Sequence, residues 1–191
     1  MERREFLKSC SAGLALGAGA LAANGVARAA EGKPELDADK LAKSAYEHFI
    51  PGGLTCCESV ALAGCEALGV KSDLIPDITL GLAGGVGLQG QTCGSLTGAA
   101  LVLSLGVAAQ EKDYATKKKR TLQATARVYK QFEEQFGATN CRQLCGLDLT
   151  TPEGMQKLMG GVKKDVCSKF VDAAARTMTK ELVGFQSAGA A

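Results

Sequence analysis

Apolar residues recur at helical spacing along much of this chain, and this periodicity limits the fold more than any other feature. In residues 162–182 six apolar side chains stand at steps of four: Val162, Val166, Phe170, Ala174, Met178 and Leu182. Such spacing places them on one face of a helix. An earlier stretch from Asp37 has the same character and stops at Pro51-Gly52-Gly53. No strand is predicted, so the fold class is all-α.

Start and stop signals divide the chain into five or six helices. Thr55 and Glu58 form a capping box that begins a helix over residues 56–68. Residues 96–109 are apolar nearly all round and too short to span a bilayer, which predicts a central buried helix. A glycine-rich loop precedes this helix, and Gly94 and Gly98 let a neighbouring helix approach closely.

The second half of the chain continues the helical pattern. Asp113 begins a long amphipathic helix that ends at Gly137, with apolar positions at Leu122, Val128, Phe132 and Phe136. A short turn over residues 140–145 follows, and Pro152 opens another helix at its first position. The sequence therefore predicts a compact helical bundle in a single domain.

The first 29 residues have the three parts of an export signal. A charged start and an uncharged run lead to Ala27-Arg28-Ala29, a small-x-small cleavage site. The start, Arg3-Arg4-Glu5-Phe6-Leu7-Lys8, resembles the twin-arginine signal. We expect cleavage after Ala29, recognition of Arg3 and Arg4 by the twin-arginine machinery, and a periplasmic mature protein. Residues 1–29 are thus a signal peptide, 30–36 a linker, 37–183 the helical domain and 184–191 a flexible tail.

Charge and composition exclude several functions. Cleavage removes four of the 22 basic residues and two of the 20 acidic ones, which leaves a formally neutral chain. Neutrality disfavours binding to nucleic acid, and scarce aromatics disfavour base stacking. We expect a mature form that does not span the membrane. The single histidine, His48, and the absence of C-x-x-C-H exclude a c-type haem, and one histidine does not suffice for a hydrolase.

Seven cysteines remain after Cys10 leaves with the signal, and none forms a C-x-x-C pair. Cys56, Cys57, Cys93 and Cys141 lie at predicted helix beginnings, where free N–H groups and the helix dipole favour a thiolate. Cys141 and Cys145 are four residues apart, within reach of a common ion. Cys65 is interpreted as a small buried hydrophobe. Any metal site must therefore be assembled by tertiary folding.

Four separated motifs stand in order along the mature chain. They are Cys56-Cys57-Glu58-Ser59-Val60, Gly84-Gly85-Val86-Gly87 with Cys93-Gly94-Ser95-Leu96-Thr97-Gly98, Phe136-Gly137-Ala138-Thr139-Asn140-Cys141-Arg142-Gln143-Leu144, and Cys167. Together they resemble the C_GCAxxG_C_C family of redox-active proteins. The resemblance implies a metal site of Cys56, Cys93, Cys141 and Cys167. Cys57 and Cys145 stand where the family commonly has Ala and Leu, and are candidate additional or redox thiols. The family is similar to part of the split-Soret cytochromes, which carry an iron–sulfur cluster.

Three functions agree with these observations. The first is an exported electron carrier, rather than a substrate-turnover enzyme, that holds an iron–sulfur cluster on cysteines. The second is a thiol–disulfide redox protein or a disulfide-stapled binding protein without metal. The third is a zinc protein that uses the same four cysteines. The sequence assigns no redox partner and no oligomeric state.

Overall fold

The structure, a computed structural model, describes residues 36–188. The predicted signal peptide, including Arg3, Arg4 and Ala29, lies outside the described residues. Within them the chain forms seven α-helices and no strand, so the all-α prediction is confirmed. The helices are α1 (Ala38–Phe49), α2 (Cys56–Ala67), α3 (Gly94–Gln110), α4 (Tyr114–Phe136), α5 (Cys141–Cys145), α6 (Pro152–Lys157) and α7 (Ser168–Ala188). The two remaining helical elements of the described residues are a 3-10 segment (Asp77–Leu82) and a π segment (Leu158–Cys167).

The helix ends follow the capping signals in the sequence. The Asp37 carboxylate accepts from the N–H groups of Asp39 and Lys40, and the Asp113 carboxylate accepts from Thr116 N. Thr55 and Glu58 form the predicted capping box at the start of α2. Helix α4 ends at Gly137, whose φ of 74° suits glycine. These caps satisfy N–H and carbonyl groups that a helix terminus leaves without partners.

Helix α3 lies at the centre of the bundle and packs against α2, α4 and α7. Its contact with α2 is close, because a Cβ at Gly98 would stand only 2.6 Å from the Cys57 carbonyl oxygen. The predicted close approach at Gly94 and Gly98 is therefore confirmed. Burial of α3 is incomplete, since Leu101 and Ser104 are exposed on its outer side. Within the described chain, no helix has the length and apolar character needed to cross a membrane.

Two predicted apolar stripes need correction. Leu122 on α4 is 59 % exposed, and Ala124, Val128 and Phe132 form the buried face of that helix instead. The predicted continuous helix over residues 162–182 is wrong in its first turns. They belong to the π segment, which is kinked at Gly161 (φ 156°), a backbone conformation that glycine tolerates.

The predicted apolar stripe over residues 162–182 is buried only where the helix is regular, on α7. Phe170, Ala174, Met178 and Leu182 are buried, whereas Val162 and Val166 on the π segment are half-buried. Helix α7 also continues beyond residue 183, where the sequence places the start of a tail. It runs to Ala188, and Phe185 is buried against the core. The helical part of the domain therefore extends at least five residues farther than predicted.

A candidate cysteine site

Five of the seven cysteines in the described residues line one small cavity of about 20 Å³. They are Cys56, Cys93, Cys141, Cys145 and Cys167. The remaining lining residues are Ser95, Leu144 and Phe170. Phe170 packs edge to face on Phe136, with ring centroids 4.9 Å apart, so an aromatic contact backs one wall. The cavity thus joins parts of the chain that are up to 114 residues apart in sequence, from Cys56 to Phe170.

Cys56 and Cys93 meet because α2 and α3 begin side by side. Cys56 is the first residue of α2, and Cys93 is the residue that precedes α3. Gly94 makes this contact possible, since a Cβ at that position would collide with Cys56 Sγ. The Cys56 thiol lies beside that of Cys93, and the backbone N–H groups of Gly84 and Cys57 are near enough to act on it. Two thiols and two amides therefore converge on one corner of the cavity.

A backbone pairing brings Cys141 to the same place. Cys93 N donates to Thr139 O at 2.8 Å, and Cys141 N donates to Gln91 O at 2.7 Å. Arg142 N donates to Gly90 O at 3.1 Å, which extends the pairing by one more bond. The preceding loop turns through Gly84, Gly85 and Gly87, all of which have positive φ. The glycine-rich loop therefore aligns the residues before α3 with the beginning of α5.

Cys145 and Cys167 close the other side of the cavity. Cys145 lies one turn after Cys141 on α5, and the two thiols are close enough to interact. Cys167 is the last residue of the π segment and lies close enough to Cys56 and Cys145 for their charges to interact. The regular helix α7 begins directly after Cys167, at Ser168.

The structure brings together all four cysteines of the predicted metal site. Cys145, an additional candidate, joins them. Cys57 does not, because its thiol is fully buried and donates to Thr79 O at 2.9 Å. Cys65 is 2 % exposed in the hydrophobic core, as the sequence predicts. The assignment of Cys56, Cys93, Cys141 and Cys167 as metal ligands stays a prediction.

Burial and crowding make these thiols weak acids in the metal-free protein. The neighbouring Cys93 thiol, followed by burial, raises the pKa of Cys56. Burial raises the pKa of Cys141, with Cys145 as the next cause, and raises the pKa of Cys167 to about 12. The prediction that the helix N-terminus yields a thiolate at Cys56 is therefore wrong for the metal-free protein, because desolvation and neighbouring sulfurs outweigh the dipole.

One cation lies beside the cysteines. Lys163 Nζ donates to Leu54 O at 3.1 Å and stands 4.7 Å from the centroid of the Phe49 ring. Burial lowers the pKa of Lys163, while the neighbouring Cys56 and Cys167 act in the opposite direction. Lys163 also borders a larger, mainly apolar cavity of about 210 Å³ that Cys56, Cys141 and Cys167 share. A positive charge is thus held at one edge of the site.

The donor atoms of the small cavity are thiols, the ligand type of both iron–sulfur clusters and structural zinc sites. In residues 36–188 no three Cys, His, Asp or Glu side chains are grouped closely enough to hold one metal ion. The ligands of an iron–sulfur cluster bind different iron atoms and stand farther apart. All the ionisable side chains on the small cavity are cysteines, and Ser95 Oγ, also on its wall, is buried without a partner.

Sequence reasoning missed two residues of this site. Ser95 belongs to one of the four family motifs but has no role assigned from the sequence, and Lys163 gives no signal because its placement depends on the π segment. Cys145 was found by its spacing from Cys141. The glycine motif was found too, but its pairing with residues 139–142 is a tertiary contact that no local pattern reveals.

Fold and site together define a small helical protein organised around a buried group of thiols. Residues 54–181 match the family described as "Putative redox-active protein (C_GCAxxG_C_C)", and the chain belongs to this family. All five cysteines of the cavity fall within the matched residues. No curated protein and no solved structure matches the chain. The family and the clustered cysteines support a redox role.

Proposed function

We propose that this protein is an exported electron carrier that holds an iron–sulfur cluster in the cysteine cavity. Cys56, Cys93, Cys141 and Cys167 would be the ligands. The observation that carries the proposal is the convergence of these four thiols, from four separate segments, on one cavity whose only other ionisable lining residue is a fifth cysteine, Cys145. Four cysteines are the usual ligand set of such clusters. Cys145 is left as a fifth thiol beside a complete ligand set.

The chain's own groups suit an anionic occupant. When bound, the cluster would accept and release single electrons. The N–H groups of Gly84 and Cys57 would donate to the Cys56 sulfur, and the Lys163 ammonium would offset negative charge. Leu144 and Phe170 would keep water from the sulfurs. Hydrogen bonds, charge and burial are the factors by which a protein sets the potential of a cluster.

Export by the twin-arginine route is part of the proposal. The Arg3-Arg4 motif supports it, and a folded, loaded protein is the kind of cargo to which this signal type points. We expect the periplasmic protein to begin at Ala30, as intact-mass measurement would report. Replacing both arginines by lysine should retain the full-length precursor in the cytoplasm. A periplasmic product from that double variant would contradict the proposed route.

A second candidate function is thiol–disulfide exchange. The proximity of Cys141 to Cys145 favours it, as does that of Cys56 to Cys93, because the thiols of each pair are close enough to interact. Each pair would lose two electrons and two protons to an external disulfide, which would be reduced to two thiols. The raised pKa values of Cys56 and Cys141 oppose this reading, since the thiolate is the reactive form.

Iron and acid-labile sulfide analysis of protein purified without oxygen separates the two functions. We expect a brown protein with iron and sulfide in equal amounts and a visible absorption that bleaches on reduction. Colourless protein without iron and sulfide would overturn the cluster proposal. Thiol counting on the same sample tests the alternative, which requires paired cysteines in protein taken from the periplasm. Zinc in place of iron would show the same ligands in a site without electron transfer.

A further inference from the structure

The Ser95 hydroxyl is an unpaired group on the wall of the cysteine cavity. Among the residues that the structure describes, Ser95 Oγ is the one buried side-chain oxygen or nitrogen without a hydrogen-bond partner. The residue is fully buried and lines the same cavity as the five cysteines. A buried hydroxyl without a partner is costly, so such a group calls for an explanation.

The local backbone explains why Ser95 has no partner within the protein. Other buried hydroxyls in these helices donate to the carbonyl four residues earlier, as Ser59 does to Thr55 O at 2.7 Å and Thr179 does to Ala175 O at 2.8 Å. Ser95 is the second residue of α3, and the carbonyl four residues earlier belongs to Gln91, outside the helix. Gln91 O accepts instead from Cys141 N. The Ser95 hydroxyl therefore has no backbone acceptor of the kind that Ser59 and Thr179 use.

A water molecule is a poor partner for this hydroxyl. The cavity of about 20 Å³ has room for one water, but a buried water needs two to four polar partners. Apart from Ser95, the lining consists of cysteines and of Leu144 and Phe170. Thiols accept hydrogen bonds weakly, whereas anionic sulfur accepts them strongly. The acceptor that suits Ser95 is therefore a sulfur that carries negative charge.

We infer that Ser95 donates a hydrogen bond to anionic sulfur in the occupied site and thereby tunes its affinity and reduction potential. The inference deepens the proposed function and rests on it for the identity of that sulfur, a cluster sulfide or a ligating cysteine. A donor to cluster sulfur stabilises the reduced, more negative form more than the oxidised form. Ser95 thus favours reduction, as a positioning residue without direct bonds to metal.

The test compares Ser95→Ala with Ser59→Ala in the whole mature protein. Both serines are fully buried, but the Ser59 hydroxyl is already bonded to Thr55 O. In the loaded protein, Ser95→Ala should lower the equilibrium constant for one-electron reduction about tenfold, a shift of about 59 mV to more negative potential. Ser59→Ala should leave the potential unchanged. An unchanged potential in Ser95→Ala, or a shift to more positive values, would overturn the inference.

Metal-free, reduced protein gives a second readout that does not require a cluster. Ser95→Ala should raise the midpoint of thermal unfolding by about 2 to 4 °C, because it removes an unpaired buried hydroxyl. Ser59→Ala should lower the midpoint, because it leaves Thr55 O without this donor. A lower midpoint in Ser95→Ala would show that the hydroxyl has a partner inside the protein and would refute the inference.

Failure of the cluster proposal would be recognised separately, by the absence of iron and sulfide from the wild-type protein. In that case Zn²⁺ is the probe, because its thiolate ligands are also anionic sulfur. Ser95→Ala should then weaken Zn²⁺ binding about tenfold relative to wild type, as loss of a group that supports a metal ligand does. Equal dissociation constants for the two proteins would refute the role of Ser95 whatever the natural occupant is.

Discussion

At the scale of single residues, the surroundings of each cysteine decide what it can do. Cys56 and Cys57 are neighbours in sequence and share the first turn of α2. Successive residues on a helix point about 100° apart, so one thiol enters the cavity while the other is directed at Thr79 O. Their shared position at a helix N-terminus does not separate them, whereas the family resemblance does, because it assigns Cys56 to the metal site and Cys57 only to the additional thiols.

This difference leads to a matched pair of variants, Cys56→Ser and Cys57→Ser. We expect Cys56→Ser to lose most of the bound iron, since a hydroxyl is a much poorer cluster ligand than a thiolate. Cys57→Ser should retain the iron, because its hydroxyl can still donate to Thr79 O. Iron and sulfide per chain, measured without oxygen, are the readouts. Equal losses in the two variants would contradict the assignment of Cys56 to the site and Cys57 to the core.

The buried thiols also predict how stability depends on pH. Burial raises the pKa of Cys65 to about 11, whereas an unfolded thiol titrates near about 8.5. The folded state therefore binds more protons between these values, and the free energy of unfolding falls as pH rises through this window. We expect metal-free, reduced wild-type protein to lose about 2 kcal/mol more between pH 9 and 11 than Cys65→Ala loses.

Denaturant unfolding at several pH values measures this difference. The contributions of the other thiols to the pH dependence cancel, because both proteins contain them. Below pH 8 the two curves should run parallel, with Cys65→Ala less stable by about 1 kcal/mol for the lost packing. Parallel curves up to pH 11 would mean that Cys65 titrates in the native state as it does in the unfolded chain. Its burial beside Glu66 would then have no electrostatic effect.

At the scale of elements, small residues let the helices carry the cysteines close together. Gly64 faces Val102 across the contact of α2 with α3, and Gly98 faces the Cys57 backbone in the same contact. A methyl group at either position would meet atoms at 2.6 Å. The high glycine content of the chain is thus explained in part by helix packing, in addition to turns with positive φ.

Gly98→Ala tests this packing, with Gly184→Ala as its control. The new Cβ at residue 98 would stand 2.6 Å from the Cys57 carbonyl oxygen, and a backbone atom cannot move aside as a side chain can. We expect a loss of about 2 to 3 kcal/mol in the free energy of unfolding. Gly184 lies on α7 with open space around it, so alanine there should increase the free energy of unfolding, by at most about 1 kcal/mol. If Gly98→Ala leaves the free energy of unfolding unchanged, α2 and α3 do not pack as closely as the structure shows.

Helix positions were predictable from the sequence because caps and periodicity are local. Thr55, Asp113, Gly137 and Pro152 each mark an observed boundary. The π segment was not predictable, because apolar steps of four continue through Val162 and Val166 as though the helix were regular. The observed backbone has π geometry up to Cys167, with a kink at Gly161 just before the first residue of that pattern. This departure from α geometry matters for the site because Cys167 ends the irregular segment.

At the scale of the whole molecule, the site is where distant segments are joined. The start of α2, the residues before α3, helix α5 and the end of the π segment each supply a cysteine. The sequence named these cysteines through four separated motifs, but their convergence depends on the backbone pairing of residues 90–93 with residues 139–142. Ser95 and Lys163 escaped notice for the same reason, since their roles exist only in the assembled fold.

Removal of the metal should therefore weaken the whole domain. An occupant that binds only the folded chain stabilises it by mass action, by about 3 kcal/mol at a hundred times its dissociation constant. We expect anaerobic chelation to lower the free energy of unfolding by at least about this amount. Cys56→Ser, which lacks a ligand, should show no difference between chelated and untreated samples. Equal stability of wild-type protein before and after chelation would mean that the occupant does not join these segments.

Amide hydrogen exchange locates the same effect within the molecule. On metal removal, exchange should accelerate most in residues 84–93 and 139–146, because these segments, a loop and a helix of five residues with its flanks, are tied to each other around the site. Helix α1 supplies no residue to the small cavity and packs on α2 and α7, so its exchange should accelerate less, by no more than the loss of global stability requires. A uniform acceleration along the chain would contradict a local role, because it would mean that the cluster stabilises only the global fold. If the backbone pairing holds the site together, the amides around Cys93 and Cys141 should lose their protection from exchange first.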